Sequence, residues 1–164
     1  MLRTKITIIA ILTVIHLSGF SSSVYGVSSY SPWWTHFSYP FFHGSIMHLI
    51  CNLYAIWFCL NERTYPKQIL IPILYTITVV SSFMYTSGKP TIGISGAIFA
   101  MIGINIIQIP TRTNVIYIVS ILAAGFIMPQ IAGVNHLISF LLGGMIALFT
   151  RNIKQFNHDY RRTH

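Results

Sequence analysis

Four polar side chains stand inside apolar runs of this chain: His48, Asn52, Ser95 and His136. In lipid an unpaired polar group is costly, so such residues are functional candidates by default. Their types suggest acyl transfer. A serine hydroxyl is a poor nucleophile until a base takes its proton. An imidazole shielded from water is held neutral, the form that can take it. Ser95 and His136 are therefore a candidate nucleophile and general base. The tetrahedral oxyanion formed by attack needs donors, and His48, Asn52 and the backbone N–H of Ser95 are available. An orienting carboxylate is missing. Glu62 and Asp159 are the two acids of the chain, and the topology below puts both at the far side of the membrane. The chemistry open to these residues is that of a Ser–His dyad.

Helices must position these groups. His48 and Asn52 are four apart and share one helix face. His43, five before His48, swings off that face and belongs at the helix start. His136, Ser139, Gly143 and Ala147 form one stripe, and Gly96, Ala100 and Gly103 form another. Small residues at this spacing let membrane helices approach closely. Packing alone would explain each stripe, but close approach is also what brings Ser95 to His136. Gly93-Ile94-Ser95-Gly96 is a G-x-S-G, a motif short enough to occur by chance. The constellation is stronger than any of its parts.

The composition sets the stage for these helices. Of 164 residues 54% are hydrophobic and 7% charged, whereas a soluble domain carries about a quarter charged residues. An ordinary soluble fold is excluded, and so is disorder. Six apolar segments fall at about 5–20, 45–60, 68–85, 92–109, 114–128 and 131–150, with a tail at 151–164. Six spans of about 20 residues use roughly 120, which predicts a single all-α membrane domain over 1–164. Nine of the ten Lys and Arg residues fall at one side of this arrangement, and Lys89 alone at the other. The positive-inside rule then places both termini in the cytoplasm. Segments two, four and six run inward, so all four polar residues lie within roughly 12 Å of the outer surface.

Other features have plainer readings. Segment one has a basic start, a short apolar run and a Ser-rich sequel, which also suits a cleaved signal peptide. The outer loop 21–44 carries Tyr30, Trp33, Trp34, Phe37, Tyr39, Phe41 and Phe42 and no Lys or Arg. It reads as an interfacial aromatic belt or as a loop dipping into the outer leaflet beside a cleft. The net charge of +8 is scattered and forms no nucleic-acid groove. Cys51 and Cys59 are roughly 12 Å apart along one helix, too far to bridge, and read as buried thiols.

Three motifs resemble those of rhomboid intramembrane serine proteases. His43-Gly44-Ser45-Ile46-Met47-His48-Leu49-Ile50-Cys51-Asn52 is similar to the family's H-x4-H-x3-N. Gly93 to Gly96 is similar to its G-x-S-G. Asn135-His136-Leu137-Ile138-Ser139-Phe140-Leu141-Leu142-Gly143 is similar to its A-H-x2-G-x3-G. The resemblance runs from about Trp33 to Ala147. It implies a six-helix membrane bundle, Ser95 as nucleophile, His136 as base, and His48 and Asn52 at the oxyanion. It implies Phe99 where the family commonly has a Tyr stacked on the catalytic His, and segment five as a gate. The implied substrate is a transmembrane protein cut near the outer end of its helix, at a plasma or inner membrane, without metal or cofactor. Asn135, Ser139 and Phe99 depart from the family pattern, but none removes a proposed catalytic group. Three rival readings stand beside this one. A rhomboid-like protein that binds transmembrane clients without cutting them would also fit. A metal site at His43, His48 and His136 lacks a nearby carboxylate or Cys ligand. A channel or transporter would be expected to show an inverted repeat, and none is visible.

Overall fold

The computed structural model describes residues 2–20, 22–60, 67–108 and 132–163. Its apolar runs are helices: α1 (Leu2–Leu17), α4 (Ile46–Cys59), α5 (Lys67–Ser82), α6 (Ser95–Gln108) and α7 (Gly133–Thr163). Two short helices, α2 (Ser22–Tyr25) and α3 (Thr35–Ser38), lie between α1 and α4, and α3 runs into a 3-10 turn at Tyr39–Phe41. There is no strand among the described residues, only an isolated antiparallel bridge between Val27 and Thr91. The all-helical reading holds. The expected segment at 114–128, with its gating role, lies outside the described residues, as do Glu62, Arg63 and Arg112.

Helix limits follow local chemistry. Ser45 caps α4, its side chain accepting from the His48 N–H at 3.1 Å. His43 therefore stands ahead of the helix, not in its first turn. The backbone of α7 continues through Thr163, well past the apolar run ending near 150, because no Gly or Pro follows Gly144 in it to stop it. Within α7, Gly133–Thr150 is long and apolar enough to cross a bilayer by itself. The α3 turn and α4 together pass the same test but are bent by 85°. Helices α5 and α6 are shorter, at 16 and 14 residues.

The core is built around α6. Gly96, Ile98, Phe99, Ala100, Met101, Gly103 and Ile104 are all buried, so apolar residues surround this helix on most faces, as a central helix requires. Its most extensive contact is with α7, and α4 and α5 also pack on it. The outside is apolar as well: Val14, Tyr54, Phe58, Leu141 and Phe149 are exposed. Such a surface suits lipid, not water. Cys51 is part of it, exposed on α4, which corrects the expectation of a buried thiol; Cys59 is half-buried.

Candidate active site

Ser95 opens α6, and the two residues before it decide where it points. Gly93 has φ +111°, a conformation that only glycine adopts without strain. A Cβ there would also fall 2.8 Å from His48 Nε2 and 3.2 Å from Asn52 Nδ2. The backbone is pinned on both sides. The Gly93 N–H donates to the Tyr39 carbonyl at 3.0 Å, and Thr91 and Val27 exchange hydrogen bonds of 2.8 and 2.9 Å. The chain thus enters α6 with Ser95 in its first turn. The opening N–H groups of a helix have no intrahelical acceptors, and the positive end of its dipole favours an anion.

His136 meets Ser95 from α7. Its Nε2 lies 2.8 Å from Ser95 Oγ. Phe99, one turn on from Ser95, stacks on the imidazole at 4.2 Å between centroids and 12° between planes. This contact depends on the glycines of the two helices. A Cβ on Gly143 would run into the Ala100 carbonyl, and one on Gly103 into the Phe140 carbonyl. The backbones of α6 and α7 are therefore in contact below the Ser–His pair. Gly96 faces the seam between α5 and α7, where an added Cβ would lie 3.0 Å from Thr78 Cγ2 and 3.4 Å from Ser139 Oγ.

The other side of Ser95 is lined from α4. His48 and Asn52 both border Gly93, so the loop ahead of Ser95 lies against their polar ends. Asn52 is buried, and its Nδ2 has no hydrogen-bond partner. His43 is buried too, with neither ring nitrogen partnered, and its ring meets that of His48 edge-on at 5.1 Å. His136 Nδ1 is likewise buried and unpartnered. Asp159 is on α7 itself, roughly 35 Å along the helix axis from His136. Among the described residues no three His, Cys, Asp or Glu side chains gather as metal ligands.

Two departures from the motif pattern have structural roles. Ser139 is fully buried and donates to Ser81 Oγ on α5 at 2.8 Å, tying α7 to α5. Asn135 is buried beside the Tyr39 hydroxyl. Tyr39 belongs to this site although its residue type groups it with the belt aromatics. It is 1% exposed. Its hydroxyl donates to the Thr78 carbonyl at 2.8 Å while its own carbonyl holds Gly93. Composition gave no signal for this, since the useful atom is on the backbone. Trp33 and Tyr30 do project outward, at 72% and 88% exposed.

A family model for the rhomboid domain matches residues 30–154, the stretch that contains every residue of this site. No curated protein matches the chain.

Proposed function

The chain belongs to the rhomboid family and is an integral membrane protein, and on that premise we propose that it is an intramembrane serine endopeptidase. The observation that carries the reading is the 2.8 Å contact between Ser95 Oγ and His136 Nε2, made where two helix backbones touch. Ser95 Oγ attacks the scissile carbonyl carbon, and His136 takes the hydroxyl proton. The oxyanion is received by the Ser95 N–H at the α6 N-terminus and by His48 and Asn52. As the intermediate collapses, the C–N bond breaks and His136 returns the proton to the leaving amine. Water, deprotonated by His136, then hydrolyses the acyl ester and regenerates Ser95. Phe99 holds the imidazole plane, Gly93 and Gly96 shape the approach to Ser95, and Ser139 and Gly143 fix α7. His43 supports His48 from the side.

In this reading the substrate is another transmembrane protein. Segments two, four and six run inward in a six-span, N-in and C-in arrangement, which sets Ser95 near the outer end of the substrate helix. A plasma or inner membrane is the proposed location. No carboxylate takes part.

The test uses purified protein and a fluorophosphonate probe, which labels activated serines. Labelling of the wild type, lost in Ser95→Ala and in His136→Ala with both variants folded, is the expected result. Asp159→Ala and Glu62→Ala should label as the wild type does. An unlabelled, folded wild type would favour a rhomboid-like protein that binds transmembrane clients without cutting them.

A further inference from the structure

A cavity of about 470 Å³ opens between α1 and α5, on the side of α6 away from α7. Helix α1 packs on α4. Its lining includes Ile8 and Leu12 of α1, Ile71 of α5, Ala97 of α6, Phe41 of the 3-10 turn and Leu60 at the end of α4. The two hydroxyl-bearing residues of the lining are both committed elsewhere. Thr78 donates to the Leu74 carbonyl at 2.7 Å and Tyr75 to the Phe37 carbonyl at 2.9 Å. Water in this slot would find no partners, so a polar ligand is excluded.

We propose that the slot binds one acyl chain of a phospholipid whose phosphate pairs with Lys5. Three observations point to that occupant. The wall offers only carbon, in a protein whose surroundings are lipid. The volume, about 470 Å³, is many times that of one water and suits an extended apolar group. The charge is placed to match. Lys5 lies one turn before Ile8 on the α1 stripe that continues to Leu12. Its ammonium donates to the Trp57 carbonyl and lies 5.4 Å from the centroid of that ring. An ammonium has three donors, and the Trp57 carbonyl takes one of them. The bound chain would back the loop that presents Ser95, since Ala97 follows it by two residues, but its binding does not depend on proteolysis.

The test uses the full chain in phosphatidylcholine nanodiscs doped with phosphatidylglycerol bearing a mid-chain diazirine. After photolysis, adducts should be several-fold more frequent at Ile8, Leu12 and Ile71 than at the exposed Val14 and Phe149. Ala97→Phe fills the slot from α6 and Ile8→Trp from α1. Each, in folded protein, should deplete the slot adducts several-fold and leave those at Phe149 unchanged. Lys5→Gln should lower slot adducts from the phosphatidylglycerol probe. Equal labelling at Val14 and Ile8, or insensitivity to both filling variants, would reduce the slot to ordinary surrounding lipid and overturn the proposal. A cross-link from the slot to a second copy of the chain would overturn it as well. An unaffected Lys5→Gln would overturn the phosphate pairing.

Discussion

Asn52 holds a donor with nothing to donate to. Its Nδ2 is buried, unpartnered, and beside the loop that leads to Ser95. Leaving a buried donor unsatisfied costs about 1–3 kcal/mol. A negatively charged oxygen forming next to Ser95 would satisfy it, and an interaction made only at that moment lowers the barrier instead of deepening the ground state. Asn52→Ala is therefore expected to slow cleavage by on the order of 10²–10³ while leaving helicity and thermal stability close to wild type. A cleavage rate equal to wild type would take Asn52 out of the oxyanion site. Residue types made this much legible in the sequence, because a Ser, two His and an Asn in apolar runs demand an explanation. Tyr39 was illegible for the opposite reason. It works through its backbone carbonyl, which every residue has, and its aromatic ring pointed to the surface belt.

The contact between α6 and α7 sets the distance on which the proposed dyad depends, and two adjacent glycines separate packing from propensity there. A methyl group on Gly143 would collide with the Ala100 carbonyl, whereas on Gly144 it would meet Gly103 O and Ile107 Cγ1 at 3.8 Å, an ordinary contact. Gly143→Ala should then lose about 1–3 kcal/mol by overpacking and weaken fluorophosphonate labelling as His136 moves from Ser95. Gly144→Ala should be neutral or more stable by up to ~1 kcal/mol, the helix-propensity gain. Thermal unfolding in detergent with probe labelling checks both, and equal behaviour of the two variants would remove the glycine contact from the account. Tyr39→Phe deletes the hydroxyl that donates to the Thr78 carbonyl and lies beside Asn135, Ser81 and Ser82, and should cost about 1–3 kcal/mol, the range for leaving buried polar groups unsatisfied, in the same unfolding assay. The small-residue stripes were readable in the sequence as helix faces. Their register was not: a repeat of three or four names the face but not that Ala100 sits on Gly143. The Ser139–Ser81 bond was equally hidden, since it joins residues 58 apart.

Across the whole molecule, helix length and site depth fit together. Helices α5 and α6 have 16 and 14 residues, roughly 24 and 21 Å at the helical rise, against a hydrocarbon core of about 30 Å. On the proposed six-span reading, such short spans would thin the surrounding bilayer and bring water nearer to a serine in the first turn of α6. The proposed hydrolysis needs that water, and it would have to come from the side on which the α6 N-terminus opens. Lys89, exposed in the loop that precedes α6, marks this side, while Arg3 marks the start of α1. The proposed topology puts them at opposite faces, with Lys89 outside. The assignment can be read directly in a background with Cys51 and Cys59 replaced by Ala, both of which are free thiols. Lys89→Cys should react with a membrane-impermeant maleimide on intact cells, and Arg3→Cys only after permeabilisation. The reverse pattern would turn the molecule over. Ser95 would then face the cytoplasm, and the proposed cut would fall at the inner end of a substrate helix instead of the outer.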